Sequence, residues 1–144
     1  MAHLLFSDEQ TARIVDAIQD AERGTSGEIR VHIERNCPKP DVLERAREVF
    51  AILGMHRTEQ HNGVLFYLAV DDHRFAVIGD SGIHAAVPAH FWEDTRDVLR
   101  EHFRAGQFTE GLCQGIARAG QHLKAAFPFH NDDINELPDD ISFG

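Results

Sequence analysis

The segment that most constrains the fold is residues 62–82, where two apolar runs flank a short polar connection. Both runs are rich in β-branched and aromatic residues, and residues 71–74 between them have a composition suited to a tight turn. This arrangement is typical of a β-hairpin. The first run, residues 64–70, is almost entirely apolar, as is usual for a strand covered on both faces inside an α/β sheet. We therefore predict a sheet with this strand in its interior.

A third strand is predicted at residues 28–34, where polar and apolar residues alternate strictly. The alternation places Ile29, Val31 and Ile33 on one face and polar residues on the other, which indicates one solvated face and a position nearer the sheet edge. A helical pattern follows, between Asp41 and Gly54. A strand, a helix and a second strand form a βαβ unit with parallel strands.

Helices are also predicted on either side of these strands. The first begins after Ser7, which has Gln10 in the capping-box position. Another begins near Pro88, and the last begins near Thr109. Three glycines lower the helix propensity of the last helix and permit close helix packing: Gly111, Gly115 and Gly120. The resulting prediction is an α/β fold, a three-layer α/β/α sandwich with a mixed sheet made of a βαβ unit plus an antiparallel hairpin.

The domain organisation predicted is a single domain at residues 1–127 and an acidic C-terminal tail at residues 128–144. The tail is rich in turn-forming residues, so we expect no regular structure in it. Because it offers few apolar side chains to bury, we also expect it to be largely dispensable for folding, although some of those side chains are candidates for docking onto the domain.

Composition excludes several classes of function. The net charge is −10 and no dense Lys/Arg cluster is present, which disfavours nucleic-acid binding. No apolar run of about 18 residues exists, so no membrane insertion is expected. The sequence shows no secretory signal, and its two cysteines form neither a metal-ligand pattern nor a disulfide framework, so the expected location is cytoplasmic. The ten histidines lack a His-Glu-x-x-His frame and are interpreted as scattered surface residues.

A candidate metal site lies where three predicted strands share one end. A parallel first pair and an antiparallel return bring Glu28, Asn62 and Asp80 to the same end of the sheet, with neighbouring strands about 4.8 Å apart. Together with Ser81 and the carbonyls of residues 79–82, they form an oxygen-rich set suited to Ca²⁺ or Mg²⁺.

Two alternatives remain open for these acidic residues. In the first, the glycines of residues 79–82 only form the turn and Asp80 only caps the following helix. In the second, a weaker site lies at the opposite end of the sheet, at Asp71 and Asp72, although paired aspartates in a hairpin are usually turn formers.

The order of these motifs resembles the TPM domain family, which is often labelled a phosphatase family. The resemblance covers about residues 7–126 and rests on five segments: residues 26–31, 62–65, 79–83, 87–92 and 108–112. It implies a compact α/β/α sandwich and a divalent-cation site, with acid phosphatase activity attributed to plant members.

Two functional hypotheses follow. In the first, the chain is a divalent-cation-binding module that acts through an unidentified protein partner, in protein quality control or complex repair. In the second, it is a metal-assisted acid phosphatase, in which the ion orients water and offsets phosphate charge. The first is favoured because acidic oxygen ligands are present, whereas Lys/Arg phosphate clamps near Asp80 are not evident. The residues assign no catalytic nucleophile or general acid, so they leave open whether the protein is an enzyme.

Overall fold

The computed structural model describes residues 6–129, 137–139 and 141–144. Within these residues the elements follow in this order: α1 (Asp8–Glu22), β1 (Glu28–Glu34), α2 (Val42–Ile52), a 3-10 helix (Met55–Arg57), β2 (Gly63–Ala69), β3 (Arg74–Gly79), α3 (Ser81–Ala86), α4 (His90–Arg104), α5 (Phe108–Ala126) and β4 (Ile141–Phe143). In the same part of the chain, no helix has both the length and the apolar character needed to cross a bilayer.

The four described strands form one mixed sheet in the order β3-β2-β1-β4. Strands β1 and β2 are parallel, β2 and β3 are antiparallel, and β4 runs parallel to β1. The predicted parallel pair and hairpin are therefore confirmed. The apolar strand β2 lies in the sheet interior and is buried along its whole length, as its composition predicted.

Helices cover both faces of the sheet, which confirms the three-layer α/β/α prediction. On one face, Ile29, Val31 and Ile33 of β1 belong to a core that also contains side chains from α1, α4 and α5. On the other face, Leu65 and Tyr67 of β2 belong to a second core with α2. The period-two alternation of each strand sends successive side chains to these two cores.

The prediction that one face of β1 is solvated is wrong. All seven residues of the strand are buried, and the polar ones are Glu28, Arg30, His32 and Glu34. Two contacts from outside the strand explain the burial, and the local sequence reveals neither of them. Strand β4 pairs with the outer edge of β1, and Arg45 of α2 forms hydrogen bonds with Glu34 across the polar face.

The expectation that the tail has no regular structure is also wrong for its last residues, which form β4. Leu137 and Ile141 are 8% and 5% exposed, and each joins one of the two cores. The acidic composition concealed these few apolar side chains, which are enough to dock the segment. Residues 130–136 and 140 lie outside the described residues, and the domain boundary at residue 127 stays a prediction.

The predicted close packing of α5 is confirmed. A Cβ atom added to Gly120 would lie 2.8 Å from the Cβ of Ala21 on α1, and one added to Gly115 would lie 2.7 Å from Leu99 on α4. These separations are shorter than ordinary van der Waals contacts. The glycines therefore allow α5 to approach both neighbouring helices, which fixes the helical layer behind the sheet.

Candidate functional site

Three strand ends meet at the end of the sheet singled out by the sequence. Glu28 is paired with Gly63 across β1 and β2, and Glu28 donates its backbone N–H to the carbonyl of Asn62 at 3.2 Å. Asp80, after β3, donates its backbone N–H to the carbonyl of Gly63 at 3.0 Å. The register therefore places Glu28, Asn62 and Asp80 at one end of the sheet.

The side chain of Asp80 has partners of its own. Its Oδ1 accepts from the backbone N–H of Ser81 at 2.8 Å, which caps α3, and its Oδ2 lies 3.2 Å from His61 Nδ1. Asp80 also lines a cavity of about 490 Å³ that includes Trp92 of α4 and Phe50 of α2. Ser81 is exposed and contributes its backbone to the cap. These contacts fit the capping alternative, while a role in metal binding stays a prediction.

Glu28 borders a different cavity, of about 380 Å³, which we call the carboxylate cavity. Three carboxylates line it, contributed by Glu22 at the end of α1, Glu28 at the start of β1 and Asp139 from the C-terminal segment. The loop between α1 and β1 completes much of the wall: Gly24, Thr25, Ser26 and Gly27. The structure thus groups Glu28 with Glu22 and Asp139, and places Asp80 against another cavity.

The electrostatics of the carboxylate cavity favour a proton or a cation. Burial raises the pKa of Glu22 to about 9, and the hydrogen bond with Asp139 and the nearby charge of Glu28 act in the same direction. The backbone N–H of Ile29, which donates to Glu22 Oε2 at 2.8 Å, opposes the shift. Near neutral pH, Glu22 therefore carries a proton unless a positive charge takes its place.

The C-terminal segment holds one side of this cavity. Glu28 Oε1 accepts a hydrogen bond from the backbone N–H of Leu137, which brings Asp139 close to the loop after α1. Ser26 donates its backbone N–H to the carbonyl of Phe127 at 2.9 Å. The cavity therefore depends on contacts between residues more than one hundred positions apart in the sequence.

Asn62 adds a buried acceptor next to the cavity. The residue is 1% exposed, and its Nδ2 donates to the hydroxyl of Ser26 at 3.4 Å. Its Oδ1 has no hydrogen-bond partner among the described residues. An unpaired buried amide oxygen is unfavourable, and such an oxygen is a suitable ligand for a hard cation.

Glu22 and Asp139 were not among the site residues predicted from the sequence. One signal for Glu22 exists: an acidic residue at the C-terminal end of a helix is disfavoured by the helix dipole, so its presence at the end of α1 calls for another reason. Asp139 has no comparable signal, because its position follows from docking of the tail.

At the alternative site, Asp71 and Asp72 each accept a hydrogen bond from the segment that follows β1. Asp71 Oδ2 accepts from Arg35 Nε at 3.1 Å, and Asp72 Oδ2 accepts from the backbone N–H of Cys37. Both contacts tie the hairpin turn to the segment after β1. The pair therefore acts as turn-stabilising residues in this structure.

A buried polar network lies on the α2 side of the sheet, around Glu34. Arg45 donates twice to this carboxylate, Tyr67 donates its hydroxyl hydrogen, and His32 Nε2 lies 3.2 Å away. Burial alone would raise the pKa of Glu34, but these hydrogen bonds outweigh burial and lower it to about 2. His32 is 6% exposed, so the interpretation of this histidine as a surface residue is wrong, and this burial lowers its pKa. The network leaves Glu34 ionised and fully engaged, which favours a structural role.

Comparison with known proteins agrees with this fold. The TPM domain family model matches residues 2–122. The chain is similar to the BA42 protein of the psychrophilic bacterium Bizionia argentinensis, with 47% identity and a TM-score of 0.90 over 96% of this chain and 95% of that NMR structure. Among curated proteins, none matches the chain.

Two N-terminal domains solved by NMR share the fold at lower identity. The domain of the cg2496 protein from Corynebacterium glutamicum has 10% identity and a TM-score of 0.66, over 94% of this chain and 79% of that one. A domain from P. gingivalis has 20% identity and a TM-score of 0.69, over 88% and 83%. At these identities the likeness concerns the fold alone.

Proposed function

This chain belongs to the TPM domain family, and we propose that it is a divalent-cation-binding domain that holds Ca²⁺ or Mg²⁺ in the carboxylate cavity. The observation that carries the proposal is the position of Glu22, Glu28 and Asp139 around one partly buried space. Three carboxylates at such a place repel one another unless a proton or a cation neutralises them. A divalent cation does so while using their oxygens as ligands.

The donors present fit a hard cation. Ca²⁺ takes six to eight oxygen ligands and Mg²⁺ takes six, from carboxylates, carbonyls and water. Glu22, Glu28 and Asp139 supply carboxylate oxygens, and residues 25–27 of the lining are the nearest source of backbone carbonyls, since the carbonyl of Gly24 accepts from the N–H of Phe129. The unpaired Oδ1 of Asn62 is a further oxygen beside Ser26. Of the predicted ligands, Glu28 and Asn62 thus keep a place in the proposal.

Proton release is part of the proposal. Because burial and neighbouring negative groups hold Glu22 in its protonated form near neutral pH, a bound cation must displace that proton to use the carboxylate as a ligand. Cation binding is therefore expected to release protons and to strengthen as the pH rises. A chain that bound the ion only through exposed carboxylates would show neither effect.

We further propose that the domain acts through a protein partner. The cavity beside Asp80 supports this role, because Phe50, Trp92 and the 40% exposed Leu43 give it an apolar side close to the edge strand β3. A centre of apolar and aromatic side chains with a polar rim is usual at protein–protein interfaces. The expectation that no arginine lies near Asp80 is wrong, because Arg47 and Arg96 line the same cavity. The alternative, a metal-assisted acid phosphatase, nevertheless has weaker support at the carboxylate cavity. Of the described residues lining the carboxylate cavity, Arg23 is the only cation, and it is paired with Asp20.

The test is calorimetric titration of the whole chain with CaCl₂ and with MgCl₂, together with thermal melts. We expect a dissociation constant at or below about 1 mM and a rise in melting temperature as the ion is added. Glu22→Gln and Glu28→Gln keep the side-chain shape, remove a carboxyl group that can ionise to bind the ion, and are expected to abolish most of the binding. Asp16→Asn, at an exposed position of the same helix α1, is the matched control and should bind normally.

The same titrations separate the proposal from its rivals. Loss of binding in Asp80→Asn, with Glu28→Gln unaffected, would move the site to the Asp80 loop. No heat and no thermal shift in the wild type at millimolar ion would refute cation binding altogether. Hydrolysis of p-nitrophenyl phosphate that depends on added Mg²⁺, and that Glu22→Gln abolishes, would favour the phosphatase alternative.

A further inference from the structure

A second group of metal-ligating side chains lies between α4 and α5, and none of its members lines the carboxylate cavity. His90 and Asp94 come from α4, and His122 comes from α5. Each of the three offers one ligand atom, and these atoms all lie within 4.8 Å of one another. His122 Nε2 is 3.7 Å from Asp94 Oδ2, and the ring centroids of His90 and His122 are 5.4 Å apart.

We propose that His90, Asp94 and His122 form a binding site for a transition-metal ion of the Zn²⁺ class. Two imidazole nitrogens and one carboxylate oxygen are ligands that Zn²⁺ takes at about 2.0–2.2 Å, and a water molecule commonly fills the fourth position. Ca²⁺ and Mg²⁺ prefer an all-oxygen shell. The ligand chemistry of this cluster therefore differs from that of the carboxylate cavity.

The helices fix the backbone positions of the three ligands. His90 and Asp94 are four residues apart on α4, so their side chains lie on one face of that helix. The ring of His122 packs edge-on against Phe91, which is fully buried, with the centroids 5.2 Å apart. Phe91 also follows His90 directly, so the same buried anchor holds both histidines at the α4–α5 interface.

Closing the site needs only side-chain rotation. Ligand atoms of a tetrahedral zinc site are about 3.4 Å apart, as follows from the bond lengths above. Distances of up to 4.8 Å between the present atoms therefore need to shorten by up to about 1.4 Å. His90 is exposed and the side chain of Asp94 is 39% exposed, so both can rotate toward His122 without moving the helices.

The competing explanation is a simple ion pair between Asp94 and His122. Such a pair explains the 3.7 Å contact between these two residues, but it does not involve His90. A metal site needs all three ligands. Replacement of His90 therefore distinguishes the two explanations, because it leaves the ion pair in place and removes one metal ligand.

The experiment is a titration of the full chain, free of any polyhistidine tag, with Zn²⁺ by calorimetry and with Co²⁺ by visible absorption. We expect one Zn²⁺ per chain at this site and a Co²⁺ spectrum of a tetrahedral complex. His90→Gln and Asp94→Asn should each weaken binding at least about tenfold, as loss of a ligand does more harm than loss of its outer partner. His56→Gln, at an exposed histidine of the 3-10 helix, is the matched control.

Glu28→Gln serves as a second control, because it alters the carboxylate cavity and should leave Zn²⁺ binding unchanged. Weak binding that His56→Gln reduces as much as His90→Gln would overturn the proposal, since it would reflect exposed histidines in general. Absence of Zn²⁺ binding at ion concentrations up to about 0.1 mM would overturn it as well. Zn²⁺ binding that neither α4 variant changes would have the same consequence. Because His90 is exposed, His90→Gln is expected to fold, which keeps the test decisive even where a His122 variant is unstable.

Discussion

Arg45 on α2 holds Glu34 on β1 with two hydrogen bonds, from Nε to Oε2 at 2.9 Å and from Nη2 to Oε1 at 2.8 Å. The side chain of Glu34 is 6% exposed and that of Arg45 is 16% exposed, so the pair is largely removed from water. A buried carboxylate without its cation is strongly unfavourable. The contact therefore ties α2 to the sheet and keeps the polar face of β1 compatible with burial.

The first prediction concerns this ion pair. Arg45→Met is expected to lower the free energy of unfolding by about 3–5 kcal/mol, because it leaves the Glu34 charge buried without a partner. The measurement is chemical denaturation near neutral pH. Arg47→Met, at an exposed arginine of the same helix, is the matched control and should change stability by less than about 0.5 kcal/mol. Equal effects of the two substitutions would contradict the structural role given to Arg45.

The second prediction follows from the low pKa of Glu34. Hydrogen bonds hold the pKa near 2 in the folded state, below its ordinary value of 4.5. The stabilisation is therefore complete above the unfolded pKa and is lost as the pH falls from about 5 toward 2. Tyr67→Phe keeps the ring and removes one donor to Glu34, so the acid transition is expected to move to higher pH. Denaturation curves at a series of acidic pH values test this, and an unshifted transition would contradict it.

The third prediction concerns Glu22, whose pKa is raised in the folded state. Between the ordinary value of 4.5 and about 9, the folded chain binds a proton that the unfolded chain releases, so stability declines as the pH rises through this window. Glu22→Gln cannot ionise and is expected to flatten the decline. If Ca²⁺ or Mg²⁺ binds here, saturating ion should offset the decline in the wild type, and calorimetry in buffers of different ionisation enthalpy should detect released protons. A pH profile unchanged by Glu22→Gln would contradict the shifted pKa.

The fourth prediction tests the close approach of α1 and α5. Gly120→Ala gains about 1 kcal/mol of helix propensity, but its new methyl group would lie 2.8 Å from the Cβ and 3.0 Å from the Cα of Ala21. Because a Cα cannot move without its helix, we expect a net loss of about 1–3 kcal/mol. Combining it with Ala21→Gly removes the Cβ contact and should recover part of the loss, which a double-mutant cycle measures. Additive effects would mean that the two residues do not meet.

Local sequence patterns were sufficient to predict the elements that form from their own residues. The capping box at Ser7 is present, with both of its hydrogen bonds to Gln10. Asp41 caps α2, and the hairpin forms with Ala69 opposite Arg74. In each of these cases the partners lie within a few residues, so composition and period carry the information.

The misses share a physical cause, which is long-range contact. The polar residues of β1 were predicted to be solvated, because no pattern within residues 28–34 indicates that β4, from the end of the chain, pairs with this strand. Asp139 was not predicted beside Glu28 for the same reason. Glu28 was identified from its strand, whereas Asp139 joins it through the hydrogen bond between Glu28 and Leu137.

The last prediction concerns the C-terminal segment, which the sequence suggested was dispensable. Removal of residues 130–144 deletes the buried side chains of Leu137 and Ile141 and exposes the edge of β1. Truncating one buried aliphatic side chain costs about 2–5 kcal/mol, so we expect a loss of more than about 3 kcal/mol for the whole segment, measured by chemical denaturation. Ile141→Ala alone should reproduce much of that loss.

A substitution in the same segment separates its two roles. Asp139→Asn keeps Leu137 and Ile141 in place, so it should leave the free energy of unfolding nearly unchanged without added metal. Because Asp139 lines the carboxylate cavity, the same change should weaken the response of the melting temperature to Ca²⁺ or Mg²⁺. A truncated chain as stable as the wild type would restore the view of a dispensable tail. A full ion response in Asp139→Asn would remove this residue from the cation site and leave Glu22 and Glu28 as its carboxylates.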